Sequence, residues 1–222
     1  MAIELDHVFI CVAPGGAEAE RLLAVGLREG TPNRHPGQGT ACRRFFFRNA
    51  MLELLWVDDP QAAQSPTTRP TRLWERWSLR ERVASPFGVG VRPHPSAGSG
   101  VPFRVWHYRP SYLPAHLAIE VAAGAPLGEP MWFCLGFAQR PDALTPEARQ
   151  PLDHPIGLRE VSAVRVAVPG LGARSDAAAI LSSLGLVELG DGPEPRLEMG
   201  FDGERAGRRA DFRPGLPLVL RW

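Results

Sequence analysis

The chain has 222 residues, 44% of them hydrophobic, and its 25 basic and 24 acidic residues leave a formal net charge of +1. This length predicts one domain of two or three packed modules, and the balanced charge argues against a nucleic-acid-binding surface, which is normally strongly basic. Apart from histidine, every basic residue is an arginine, so enzyme classes that need a nucleophilic or phosphate-binding lysine are excluded.

The three cysteines, Cys11, Cys42 and Cys134, are odd in number and far apart. They indicate a reducing compartment rather than a disulfide framework. No run approaches 18 apolar residues, so no membrane span is expected. The first twelve residues lack a basic segment followed by an apolar one, and we expect a cytoplasmic protein without an export signal. The arginine, glycine and proline content is typical of a GC-rich bacterial genome.

Residues 1–58 predict a first β-α-β-β-β module. Residues 3–12 alternate in polarity and predict a strand with Leu5, His7, Phe9 and Cys11 on one face. The elements that follow are a helix over 17–26, a weak strand over 27–36 and strong strands over 40–48 and 51–57.

The sequence pattern of residues 59–222 predicts three more segments. Residues 59–85 form a connection of a loop and a helix. Residues 86–157 form a second, degenerate sheet unit without a well-formed helix. Residues 158–222 return to the first pattern, with Ser175 as the N-cap of a helix. The similarity of LLAVGLREG (22–30) to LSSLGLVELG (181–190) predicts that this last unit is a diverged repeat of the first.

Three short segments resemble the vicinal oxygen chelate superfamily and, within it, the glyoxalase-like domain family. They are LDHV (5–8), HPGQGT (35–40) and LELLWV (52–57). The resemblance covers residues 1–58 well and 86–157 poorly. It implies an α+β fold in which repeated βαβββ modules form curved mixed sheets around a cavity.

The same resemblance implies a metal site. Family members commonly hold a divalent ion through a histidine on the first strand and a glutamate on the last strand of each module, and the ion binds two adjacent substrate oxygens. His7 and Glu53 match these two positions, and Zn, Fe, Mn or Ni would be the ion. Members of the superfamily often form dimers, so a homodimer is an expected assembly.

His7 and Glu53 also have other readings. His7 could be a general base or a strand histidine hydrogen-bonded to a neighbour. A carboxylate between the large apolar residues Met51 and Leu55 is costly to bury unless it is paired or metal-bound. Glu53 could therefore bind metal, abstract a proton next to a carbonyl, or pair with an arginine of the preceding strand, Arg43 or Arg44.

The predicted metal site is incomplete. Aligning the last unit on the first places Ala163 and Val219 at the two ligand positions. Aligning the middle unit places Gly88 or Val89 at the histidine position and Cys134 or Leu135 at the glutamate position. His116 and Glu120, predicted on one strand face, are the residues that could complete the site.

Three further residues are candidates for substrate binding. His35 and Gln38 lie either in a loop that closes over the cavity or in a purely structural polar turn. Arg44 would favour an anionic ligand if it points inward.

The preferred hypothesis is a glyoxalase-like protein that binds a small oxygen-rich metabolite and acts as a metal-dependent lyase, isomerase or dioxygenase. The alternatives are a non-enzymatic, drug-sequestering binder of the same fold and a structural module whose cavity is filled by side chains.

Overall fold

The computed structural model describes residues 3–80, 82–95 and 100–222. The first module forms as predicted, with a strand, a helix and three further strands. Their bounds are β1 (Ile3–Cys11), α1 (Ala19–Ala24), β2 (Asn33–His35), β3 (Thr40–Phe46) and β4 (Met51–Val57). The turn before β3 requires glycine, because Gly39 has a φ of +75° and a Cβ there would lie 2.3 Å from the carbonyl oxygen of Asp59.

The middle of the chain contains two short helices and then four strands. Their bounds are α2 (Pro60–Ala63), α3 (Leu73–Ser78), β5 (Phe87–Pro93), β6 (Val105–Tyr108), β7 (Ile119–Ala122) and β8 (Met131–Cys134). The Asp59 carboxylate caps α2 by accepting bonds from the backbone N–H groups of Gln61 and Ala62. The helix predicted within the 59–85 connection corresponds to α3, which ends at Ser78.

These two segments build one eight-stranded mixed sheet in the order β2-β3-β4-β1-β5-β8-β7-β6. In each half the first strand runs parallel to the last, β1 with β4 and β5 with β8, and the halves join through the antiparallel pair β1 and β5. The sheet therefore has an approximate internal twofold arrangement and curves into a half-barrel. The predicted α+β fold with curved mixed sheets is confirmed.

A β-bulge interrupts β1 between Leu5 and His7. Leu5 consequently packs with Val8 and Ile10 in the core on the convex side of the sheet. The prediction that Leu5 shares a face with His7 is wrong, because the bulge inserts one residue into the alternation. Asp6 and His7 both line the cavity on the concave side.

The C-terminal segment forms a separate five-stranded sheet. Its elements are β9 (Val161–Val168), α4 (Asp176–Ser183), β10 (Glu188–Asp191), β11 (Arg196–Phe201), β12 (Arg209–Asp211) and β13 (Leu218–Arg221). The order β10-β9-β11-β13-β12 differs from that of the first module, because β10 pairs directly with β9. The Ser175 hydroxyl accepts the backbone N–H of Ala178, which confirms the predicted N-cap.

The C-terminal sheet covers the convex side of the half-barrel. Val8 and Ile10 of β1 belong to the same buried apolar cluster as Val164 and Val166 of β9, so burial of both faces holds the two sheets together. None of the helices in the described ranges is long and apolar enough to cross a membrane.

A buried carboxylate also links the middle segment to α4. Glu129 accepts bonds from the Trp132 indole N–H at 2.9 Å and from the Ser175 hydroxyl at 2.6 Å and backbone N–H at 2.7 Å. Glu129 as a whole is 1% exposed, and these donors offset the cost of burying its carboxylate.

His154 lies in the long segment between β8 and β9 and joins it to the first module through two hydrogen bonds. Its Nδ1 accepts the backbone N–H of Arg28 at 2.9 Å, and its Nε2 bonds the carbonyl oxygen of Phe46 at 2.8 Å. The neutral imidazole with a proton on Nε2 satisfies both bonds. Burial lowers the pKa of His154, so the folded protein favours this neutral form.

The stability that His154 contributes should therefore depend on pH. Because its folded-state pKa lies below the unfolded one, this contribution is complete above the ordinary histidine range and is lost as the pH falls through it. We expect His154→Gln to cost about 1 kcal/mol at pH 7.5 and less at pH 5.5, measured by urea unfolding. The exposed His116→Gln is the control; equal losses for His154→Gln at both pH values would contradict the assignment.

Candidate functional site

A cavity of about 300 Å³ opens on the concave side of the half-barrel. Both halves of the sheet contribute to its walls. One part is apolar, and a smaller part carries titratable and amide side chains. The apolar lining comprises Phe9, Met51, Leu55, Leu73, Leu113, Ile119, Met131, Phe133, Leu135 and Phe137. The polar lining comprises Asp6, His7, Asn33, His35, Gln38, Arg44, Glu53, Tyr108 and Tyr112.

The polar end is organised around His7, which is 7% exposed. The bulge in β1 lets the neighbouring Asp6 accept a bond from His7 Nδ1 at 2.6 Å. The Asp6 carboxylate is in turn held by the Arg92 guanidinium at 3.1 Å. This bond leaves Nε2 as the ring nitrogen that faces Glu53, with its carboxylate oxygen 3.8 Å away.

His7 thus lies between two carboxylates. Burial lowers the pKa of His7, but the Glu53 carboxylate and the bond to Asp6 outweigh it, and the pKa is raised overall. Burial raises the pKa of Asp6, yet the His7 bond and the Arg92 charge bring it below its ordinary value. The arrangement favours an imidazolium at His7 and a carboxylate at Asp6.

His35 and Gln38 form a second polar wall. The Asn33 amide donates to His35 Nε2 at 3.0 Å, and His35 Nδ1 donates to the Thr40 hydroxyl at 2.9 Å. The Gln38 amide donates to the same hydroxyl at 2.7 Å and accepts a bond from Tyr112 at 3.3 Å. Burial lowers the pKa of His35, so this imidazole is held neutral, in contrast to His7.

Arg44 lies on the cavity face of the sheet, opposite Glu53 in the β3–β4 pairing. Its Nε donates to the carbonyl oxygen of Thr31 at 2.7 Å, and its guanidinium lies over the Phe46 ring. Arg43 points to the other face and binds carboxylates of the first module. Of the two arginines, Arg44 therefore contributes positive charge near the polar end.

Several lining residues are absent from the sequence predictions. Asp6 belongs to the segment LDHV, but strict alternation places it on the face opposite His7, and the bulge that turns it inward depends on pairing with β5. Tyr112 belongs to the turn-rich stretch before β7, where no periodicity signals its approach to Gln38.

The structure does not bring His116 and Glu120, the two residues predicted to complete the metal site, into the half-barrel cavity. His116 is exposed and precedes β7, which begins at Ile119. Glu120 pairs with Cys134, whereas Val121 pairs with Phe133, the residue that lines the cavity. Glu120 and Cys134 therefore lie on the sheet face opposite His7.

The second half of the sheet supplies no metal ligands at the equivalent positions. The pairings of β1 with β4 and of β5 with β8 make Gly88 equivalent to His7 and Phe133 equivalent to Glu53. A Cβ at Gly88 would lie 2.0 Å from the Phe9 ring. The described residues contain no group of three or more His, Cys, Asp or Glu side chains suited to a metal ion, so this donor set does not fit a family-type metal centre.

Comparison with known proteins agrees with the fold. Residues 5–97 match the family model described as a glyoxalase-like domain. Residues 5–97 are therefore similar to a glyoxalase-like domain. This match agrees with the predicted resemblance to the vicinal oxygen chelate superfamily.

The likeness of fold extends beyond the glyoxalase-like domain. A crystal structure of a hypothetical protein from Staphylococcus aureus aligns with 99% of this chain and 99% of its own, with a TM-score of 0.54 and 9% identity. No curated protein matches the sequence significantly.

The electrostatic arrangement predicts how His7 titrates. Replacing Glu53 with Gln removes the largest charge that raises the pKa of His7, so this pKa should fall, and Asp6→Asn should lower it as well. Imidazole resonances followed by NMR between pH 4 and 9 would measure the change.

Glu120→Gln is the matched control, because Glu120 lies on the opposite face of the same sheet. Its titration of His7 should equal that of the wild type. An unaltered His7 pKa in Glu53→Gln would mean that the two side chains do not interact.

Proposed function

We propose that this protein binds a small molecule with an apolar body and an oxygen-bearing polar end in the half-barrel cavity. The observation that carries the proposal is the convergence of His7, Glu53 and Arg44 on one end of an open, otherwise largely apolar cavity. Ligand sites in proteins have this composition, with a few placed polar groups in an apolar pocket.

The polar end restricts the ligand. An imidazolium at His7 and the guanidinium of Arg44 both donate hydrogen bonds, and Glu53 accepts them. A carbonyl or carboxylate oxygen next to a hydroxyl would match this mixture. The apolar wall of Phe9, Leu55 and Phe133 would cover the remainder of the ligand.

Binding can be tested with a panel of small aromatic hydroxy acids and hydroxy ketones by ligand-observed NMR. We expect saturable binding that His7→Ala weakens about tenfold or more, since hydrogen bonds to buried charged groups are strong. His116→Ala, outside the cavity, should bind as the wild type does. Binding that is equal in both variants would contradict this site.

A second candidate function is proton transfer, and the Asp6–His7–Glu53 arrangement favours it. Glu53 would take a proton from the carbon next to a ligand carbonyl while the His7 imidazolium donates a proton to the carbonyl oxygen, giving an enol. With a hydroxy ketone the enol is an enediol, and Glu53 would return its proton to the neighbouring carbon while the hydroxyl on the first carbon gives its proton back to His7, which completes an isomerisation. Asp6, fixed by Arg92, would orient the imidazole.

Exchange of the ligand's α-hydrogen for solvent deuterium distinguishes the two candidates. An enzyme should catalyse the exchange, and Glu53→Gln should slow it about 100-fold or more while the ligand still binds. Binding without exchange in the wild type would contradict the enzymatic proposal and leave the non-enzymatic binder.

A further inference from the structure

A second cavity, of about 220 Å³, lies between α3 and the β7–β8 region of the half-barrel. We call it the Arg76 cavity. Its lining comprises Pro70, Thr71, Arg72, Arg76, Trp106, Val121, Ala122, Gly124, Ala125, Met131 and Trp132. Only Met131 also lines the half-barrel cavity, and the two cavities have different polar groups.

Arg76 is a buried cation that forms no ion pair with a carboxylate of the described residues, although the charge of the buried Glu129 still acts on it from a distance. The residue is 4% exposed, and its NH1 group donates to the carbonyl oxygens of Ser85, Leu127 and Glu129. Its Nε is buried and has no hydrogen-bond partner. Neutral carbonyls hold the side chain in place, but they leave part of the donor capacity of the guanidinium unused.

A second arginine lines the same cavity. Arg72 is the N-cap of α3 and has a left-handed backbone with a φ of +57°. Burial lowers the pKa of Arg76, and the positive charge of Arg72 lowers it further. In the described part of the chain, no carboxylate lies within 4.0 Å of either guanidinium. Two arginines brought together at a cavity in this way would be stabilised by an anion.

We propose that the Arg76 cavity binds a small carboxylate with an aromatic or branched apolar body. The Arg76 and Arg72 guanidinium groups would hold the carboxylate, since a planar guanidinium pairs with carboxylate oxygens in two parallel bonds. The half-buried Trp106 and the apolar Val121 and Met131 supply a surface for the body of the ligand. This site is independent of the proposed role of His7.

Isothermal titration with benzoate tests the proposal, with neutral benzamide and inorganic phosphate as comparisons. We expect saturable benzoate binding, at least about tenfold tighter than that of benzamide. Arg72→Gln should weaken it about threefold, because Arg72 is exposed. Arg69→Gln, an equally exposed arginine outside the cavity, is the matched control.

Two further variants locate the site. Ala125→Leu fills the Arg76 cavity without removing a charge and should abolish benzoate binding. Arg44→Gln, in the half-barrel cavity, should leave it unaltered. The proposal is overturned if benzoate binding follows Arg44 rather than Arg72, if benzamide binds as well as benzoate, or if phosphate binds as tightly, since the apolar body would then contribute nothing.

Discussion

The antiparallel pairing of β1 with β5 is the constraint on which the molecule depends. It joins two β-sheet halves that would each leave an edge strand unpaired, and it creates the single curved surface that encloses the cavity. The bulge in this pairing turns both Asp6 and His7 inward. Gly88 and Gly90 of β5 leave room for the rings of Phe9 and Phe133. The pairing of β1 with β5 therefore determines both the fold of the sheet and the shape of the cavity.

This packing explains why only half of the metal-ligand pattern that the resemblance implies is present. In the first half, the equivalent positions carry an imidazole and a carboxylate; in the second half they carry a glycine and a phenyl ring, and the ring of Phe133 meets that of His7 edge-on at 5.1 Å. An apolar wall replaces the second pair of ligands. The cavity consequently has one charged end and one apolar end, a composition that suits an asymmetric organic ligand.

Charge is distributed differently at the two cavities. His7 is flanked by the Asp6 and Glu53 carboxylates, and the Arg92 guanidinium forms an ion pair with Asp6. Arg76 is instead surrounded by neutral carbonyl groups. The charge of His7 is neutralised by carboxylates of the protein, and such a group can exchange protons with a ligand. Arg76 has no ion-pair partner among the described residues, and such a buried cation favours a ligand of negative charge.

The sequence by itself determined the elements of the fold. Alternating polarity and turn residues located β1, β3 and β4 and the cap at Ser175, because these signals are local. The resemblance to the glyoxalase-like family also predicted that His7 and Glu53 share one site, and their side chains lie 3.8 Å apart. Only the tertiary structure decided that Asp6 turns inward, that Glu120 turns away and that the C-terminal strands form their own sheet. Bulges and strand order depend on partners distant in the chain, and no local pattern encodes them.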